Sequence, residues 1–166
     1  MWFVVELEEY LRRSGDREMV DALEDRVYSL VKFLGGYENS DGLLEKLDRW
    51  VFVEWSDANK YVQDVNYPTN MLYAFMLDVV SRLYDDPAMH EKCERIRSVI
   101  RSQSYDGRFF CDNAIRKEDG SLVRTGNHSE TCQYYAFFFG TATSALYPRL
   151  WEVMRESLGP GRRQYN

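Results

Sequence analysis

The sequence has 166 residues, of which 45% are hydrophobic and 15% aromatic, enough for one compact domain with a real core. Its net charge is −6, and the 21 basic residues are scattered among 27 acidic ones, which argues against a nucleic-acid partner. Charged residues interrupt every apolar run before the roughly 20 residues that span a bilayer, so we expect no membrane partner either. We predict a single domain over residues 1–166.

The cysteines and the N-terminus give information on the cellular compartment of the protein. Cys93, Cys111 and Cys132 are an odd number in a chain of this length, which predicts buried thiols and no disulfide framework. The N-terminus lacks the basic segment of a signal peptide, so we expect no export and, if the chain is complete, a cytoplasmic protein. The chain begins inside an apolar run with no capping residue, which favours a piece of a longer protein.

Hydrophobic periodicity predicts six helices in chain order, and no convincing strand alternation competes with them. Helix boundaries are marked by Gly15, which can end the first helix, by Asp16, which can cap the second, and by Asp86-Pro87, which can start the fourth. The predicted helices are about 2–13, 16–34, 68–85, 87–103, 129–141 and 148–158.

The predicted helices alternate in character. The first, third and fifth are apolar nearly all round and are predicted to be interior, whereas the second and fourth carry one apolar stripe and are predicted to lie on the surface. Short links join them into three antiparallel αα-hairpins. The predicted fold class is all-α, with the hairpins forming part of an (α/α)₆ toroid and the long loops on one face.

Two long loops, about 35–67 and 105–129, lead into the predicted interior helices. They mix aromatic residues with carboxylates, amides and arginine, a combination that suits a sugar, because the faces of a sugar ring are apolar and its rim carries hydroxyl groups. The sequence therefore predicts a carbohydrate cleft. The candidate substrate-binding residues are Trp55, Asp57, Asn66, Tyr67, Asp112 and Arg124.

Two carboxylates are candidate catalytic groups. Glu130 lies in the first turn of an apolar helix, where burial and the helix dipole act on its pKa in opposite directions, and Glu54 lies in the first long loop. Glycosidases use such a pair of carboxyl groups. Structural roles are the alternative: Asn127 and Glu130 fit a capping box, Asp57 or Asn66 can cap a helical turn, and Trp55 can belong to the core.

A metal site is the next alternative. His128 and Cys132 are four residues apart and can share a helix face, with Cys111 as a third ligand, but the P-C-x-x-C motif of zinc deaminases is absent. We expect no metal and no cofactor. Residues 118–126 predict a turn at Asp119-Gly120 with a short extended return, either a flap over the cleft or an inert surface excursion.

In this order, the segments "FVVELEEYLRRSGDREMVDAL", "FVEW", "YPTNMLYAFMLDVVSRLYDD", "DGRFFCDNAI" and "ETCQYYAFFFGTAT" resemble the middle of the catalytic (α/α)₆ domain of α-L-rhamnosidase-like enzymes, glycoside hydrolase family 78 and its relatives. "FVEW" is similar to the family's F-x-D-W segment with Glu54 in place of aspartate, and Trp55 corresponds to a tryptophan that contacts the sugar. The family's general acid and base fall outside this chain, and the resemblance does not nominate Glu130.

The resemblance implies a segment of an enzyme that hydrolyses terminal glycosidic bonds with inversion, through a carboxyl pair largely outside this chain. Its ligand would be a rhamnose-like sugar, and its exposed inner helices would be covered by a second copy or by the remainder of a longer catalytic domain. Two other functions stay open: a non-catalytic α/α carbohydrate-binding or protein-interaction module, and a metal hydrolase built on His128 and Cys132.

Overall fold

The structure is a computed structural model that describes residues 1–48, 51–54 and 57–157, without the side chain of Asp57. Within these residues the chain is mostly helical, with seven α-helices, one 3₁₀ turn (Asp57–Lys60) and three short strands. None of the described helices is both long and apolar enough to cross a membrane. The helices are α1 (Trp2–Ser14), α2 (Arg17–Ala22), α3 (Glu24–Gly35), α4 (Tyr67–Tyr84), α5 (Pro87–Ser104), α6 (Glu130–Phe138) and α7 (Pro148–Ser157).

The predicted helix boundaries are confirmed at three residues. Gly15 ends α1 in the left-handed conformation with φ 71°, and Asp16 caps α2 by accepting a hydrogen bond from the Met19 N–H. Asp86 caps α5 with proline at its first position. The single predicted helix over 16–34 is instead two helices, because Leu23 donates its N–H to Val20 three residues back, which interrupts the α-helical pattern.

Helix α4 forms the centre of the core. Thirteen of its 18 residues are buried, on all sides of the helix, and it packs against α1, α5 and α6. Its partner α5 buries only one stripe, which includes Cys93, Ile96 and Ile100. The predicted interior helix and surface helix are both confirmed for this pair, and the two-residue link between them makes an αα-hairpin.

The first and fifth predicted interior helices, α1 and α6, are only partly buried within the described residues. Helix α1 buries Val4 and Leu7 but leaves Trp2 44% exposed, and Phe138 of α6 is 71% exposed. Each of these helices packs against α4, and each also carries apolar side chains that remain exposed.

A small antiparallel sheet, which the sequence analysis did not predict, joins the two long loops. Strands β1 (Val65–Asn66), β2 (Asn113–Arg116) and β3 (Leu122–Arg124) pair in that order. The predicted turn at Asp119-Gly120 and its extended return are confirmed as the β2–β3 hairpin, with Gly120 at φ 83°. Each strand spans only two to four residues, too few for an alternating pattern to appear in the sequence.

A half-buried ion pair anchors this hairpin to the first long loop. The Arg116 guanidinium donates to both carboxylate oxygens of Glu45, and the Arg116 N–H donates to Asp64 Oδ2 at 2.7 Å. The hydrogen bonds from Arg116 outweigh the partial burial of Glu45 and lower its pKa. The hairpin is therefore held at its base by charge as well as by strand pairing.

Replacing Leu77, fully buried in α4, with alanine should lower the free energy of unfolding by about 2–5 kcal/mol, because it leaves a cavity in the core. The matched control is Leu146→Ala, since Leu146 is 61% exposed, and it should change stability by less than about 0.5 kcal/mol. Urea denaturation followed by circular dichroism measures both. Equal effects would contradict the central position of α4.

Replacing Glu45 with glutamine should destabilise the fold by about 1 kcal/mol at neutral pH. Because the folded pKa of Glu45 is lowered, the carboxylate stabilises the folded state above its unfolded pKa, and this contribution is lost as the pH falls through the folded pKa. The difference between wild type and variant should therefore shrink in acid. Glu9→Gln is the matched control, because the arginines that pair with Glu9 are well exposed, and it should have little effect.

Candidate functional site

A cleft of about 360 Å³ opens at the start of α6. Two aromatic residues, Tyr61 and Phe109, contribute to its lining, and the rest of the lining is mainly polar. The polar residues that line it are Asp106, Arg108, Asn127, His128, Ser129, Glu130 and Gln133. Polar groups beside aromatic rings are what a small hydroxylated ligand requires of a binding site.

The first turn of α6 is fixed by Ser129 and Asp112. Ser129 is the N-cap residue and accepts a hydrogen bond from the Cys132 N–H at 3.1 Å, while its own N–H and hydroxyl donate to the buried Asp112 carboxylate. The capping box with Asn127 as N-cap is wrong, because the N-cap residue is Ser129, two residues further along the chain. Glu130 is therefore the first helical residue and lies on the cleft wall.

The structure places both candidate catalytic carboxylates at the start of α6. Glu130 accepts a hydrogen bond from the Tyr134 hydroxyl, one turn along the helix. Glu54 accepts a hydrogen bond at 3.1 Å from the hydroxyl of Thr131, the residue next to Glu130. Nothing in the sequence spacing of 54 and 130 specifies this proximity, which arises because the first long loop folds back onto α6.

Backbone contacts hold the Glu54 segment in place. The Tyr135 hydroxyl donates to the Val53 carbonyl at 2.6 Å, and the Asn59 side chain bonds the Val53 N–H and the Glu54 carbonyl. Of the other candidates in this loop, Trp55 lies outside the described residues. Asp57 begins the 3₁₀ turn, but its side chain also lies outside what the structure describes.

Three predicted substrate-binding residues lie behind the cleft. Asn66 is 4% exposed and caps α4, accepting from the Thr69 N–H at 2.9 Å while donating to the Tyr61 carbonyl at 2.8 Å. Tyr67 and Asp112 are fully buried, and burial raises the pKa of both. In this arrangement Asn66, Tyr67 and Asp112 position the cleft wall. For Asn66, helix capping is the structural role that the sequence analysis gave as the alternative to sugar binding.

Arg124 is exposed on β3, and its guanidinium donates to the Tyr105 carbonyl at 2.9 Å. This contact ties the hairpin to the end of α5. Arg124 is not among the residues that line the cleft.

Asp106, Cys111 and His128 form a cluster on one side of the cleft. The sequence analysis grouped His128 with Cys111 and Cys132 and did not include Asp106. His128 Nε2 lies 3.1 Å from Cys111 Sγ and 2.8 Å from Asp106 Oδ2. The alternative in which His128 and Cys132 share a helix face is not found, because His128 precedes the helix. The Cys132 thiol is instead buried and faces the Cys111 carbonyl.

A tight turn that follows Asp106 holds its side chain in place. Asp106 Oδ1 accepts the N–H groups of Arg108 and Phe109, both at 2.8 Å, around Gly107 with φ 102°. Partial burial opposes ionisation of Asp106, but these N–H groups and His128 outweigh it and lower its pKa. Burial raises the pKa of Cys111 to about 11, so its sulfur is a thiol at neutral pH.

The fold matches two solved rhamnosidases. The crystal structure of a GH78 family rhamnosidase of Bacillus sp. GL1 superposes with a TM-score of 0.79 over 96% of this chain, at 15% sequence identity. A rhamnosidase from Klebsiella oxytoca with rhamnose bound gives a TM-score of 0.71 over 95% of this chain, at 14% identity. The chain has the fold of part of a rhamnosidase.

This match confirms the predicted resemblance at the level of fold. The chain spans 17% of the Bacillus enzyme and 30% of the Klebsiella enzyme, so it corresponds to a segment of each. No protein-family model matches the chain. No curated protein matches its sequence either.

Replacing Asp112 with alanine should lower the free energy of unfolding by about 2–4 kcal/mol, because two buried donors of Ser129 lose a charged acceptor. Asp21→Ala is the matched control, since Asp21 forms only an exposed pair with Arg17 and should cost less than about 1 kcal/mol. Urea denaturation of both variants measures this, and equal losses would contradict the role assigned to Asp112.

Proposed function

We propose that this chain forms part of the wall of a sugar-binding cleft in a glycoside hydrolase of the α-L-rhamnosidase type. The cleft at the start of α6, with Tyr61 and Phe109 beside polar side chains, is the observation that carries the proposal. The similarity of this fold to two rhamnosidases, one of them with rhamnose bound, supports a rhamnose-like sugar as the ligand.

The chain would be one α/α unit, residues 1–166, of a larger (α/α)₆ toroid. Helices α1, α4 and α6 would form its inner layer, which fits the contacts that α4 makes with both α1 and α6. In this arrangement α2–α3, α5 and α7 would lie outside. Three hairpins are half of a six-hairpin ring.

The exposed aromatic residues of α1 and α6 fit the same proposal. Trp2 and Phe138 line one groove together with Phe75, so apolar side chains of both helices meet on this surface. Exposed apolar area of this kind is usually covered in the working protein. We propose that further hairpins of the ring cover it, with a second copy of the chain as the alternative.

The reaction proposed for the whole protein is hydrolysis of a terminal glycosidic bond. One carboxylic acid protonates the leaving oxygen, and a carboxylate activates water on the opposite face of the ring. Glu54 and Glu130 are the candidates within this chain, since each contacts a hydroxyl group at the start of α6. By the family resemblance, the acid and base of the whole enzyme lie outside the chain, which would leave these two glutamates to bind the sugar hydroxyls.

The proposal is tested by titrating the purified chain with L-rhamnose and a panel of other monosaccharides. Saturable quenching of tryptophan fluorescence is expected, and Trp55→Ala should abolish it. Because this substitution also removes a fluorophore, calorimetric titration of the same variant should show loss of binding. Glu130→Gln should weaken binding about tenfold through the loss of a charged hydrogen-bond acceptor, and Glu152→Gln on exposed α7 should not.

Binding of none of the sugars by wild-type chain would overturn the sugar cleft and favour a protein-interaction module. Binding without turnover of an aryl rhamnoside would fit either a cleft segment or a non-catalytic carbohydrate-binding module. Turnover by the isolated chain would place the acid and base within it, and Glu54→Gln would then have to abolish the reaction.

A further inference from the structure

Three different metal-ligating atoms converge beside the cleft. A carboxylate oxygen of Asp106, the sulfur of Cys111 and a ring nitrogen of His128 all lie within 4.8 Å of one another. Across residues 1–48, 51–54 and 57–157, no other such group of three is found. The three residues come from one loop, at its start, middle and end, so the loop must fold back on itself to bring them together.

Hydrogen bonds alone do not satisfy both contacts of the histidine in this cluster. Both neighbours approach the same nitrogen, His128 Nε2, which carries at most one proton. If the nitrogen is protonated, it donates to Asp106 and cannot accept the thiol proton. If it is unprotonated, its lone pair faces a carboxylate. A cation among the three atoms would be bound by lone pairs from all of them.

We propose that Asp106, Cys111 and His128 bind a zinc ion at one side of the cleft. Sulfur, imidazole nitrogen and carboxylate oxygen are the three donors that zinc takes in proteins. The thiolate and carboxylate together neutralise the charge of Zn²⁺. On binding, the Cys111 thiol gives its proton to solvent as the S–Zn bond forms.

The two measured distances from His128 Nε2 suit this ion after a small adjustment. Tetrahedral zinc with bonds of about 2.0–2.3 Å requires neighbouring ligand atoms roughly 3.4–3.6 Å apart, so the two contacts of Nε2 must lengthen by about 0.5 Å. Asp106 is held for this role through its other oxygen, which accepts two backbone N–H groups. The Cys111 N–H donates to the Ser104 carbonyl, and the Cys111 carbonyl accepts from the Ser104 hydroxyl. Such supporting contacts orient metal ligands.

The fourth ligand would come from the cleft. Asp106 and His128 line it, while Cys111 is buried behind them, so an ion held by all three has one open side. Water or a hydroxyl of a bound sugar would occupy this position, as in zinc sites with three protein ligands. Zinc binding itself does not depend on the proposed sugar function and can be measured without any sugar.

The test uses the whole chain, stripped of metal with a chelator and titrated calorimetrically with Zn²⁺. One zinc per chain is expected. Co²⁺ as a spectroscopic substitute should give a thiolate-to-cobalt charge-transfer band. Cys111→Ser and His128→Gln should each weaken zinc binding on the order of a hundredfold or more, since even supporting residues of zinc sites cost 10–100-fold.

Two matched controls are available in the chain. Cys93→Ser replaces a cysteine buried in the core, and His90→Gln replaces a histidine that also contacts a carboxylate, Asp78, at 2.7 Å. Both should keep the zinc affinity of the wild type.

If Cys111→Ser does not fold by circular dichroism, Asp106→Asn takes its place. The amide keeps an oxygen that can accept the backbone N–H groups, and this variant should still lose zinc binding. No stoichiometric zinc in folded wild type, or unchanged affinity in the ligand variants, would overturn the site.

Discussion

Asp112 connects the starts of two core helices, and the cleft depends on that connection. Its carbonyl accepts the N–H of Tyr67, the first residue of α4, and its carboxylate accepts the N–H and hydroxyl of Ser129, the N-cap of α6. A charge this deeply buried is tolerated only when its hydrogen bonds are made. The requirement fixes the relative position of the two helix starts, and the residues that follow Ser129 form the cleft wall.

Local sequence signals predicted most of the helical framework. The caps at Gly15, Asp16 and Asp86 were identified because each acts through neighbours within three residues. The burial of α4 was predictable because a helix apolar on all sides needs neighbours on all sides. For α1, the same reasoning overestimated burial, since Trp2 and Phe3 remain partly exposed.

The candidate site was less predictable because its contacts join residues far apart in sequence. Glu54 meets Thr131 across 77 positions, and no local pattern encodes that contact. The spacing of His128 and Cys132 was misleading, because i to i+4 spacing is informative only inside a helix and the helix starts after His128. Asn66 was ambiguous because an amide suits a sugar and a helix cap equally well.

The three-stranded sheet has a consequence for ligand binding. By pairing β1 with β2, it joins the end of the first long loop to the second. Much of the conformational entropy of the paired segments is therefore already lost when the chain folds. A ligand that enters the cleft meets a preorganised wall and loses less affinity to ordering it. The hairpin tip near Gly120 lies outside this paired region and is where insertions would be best tolerated.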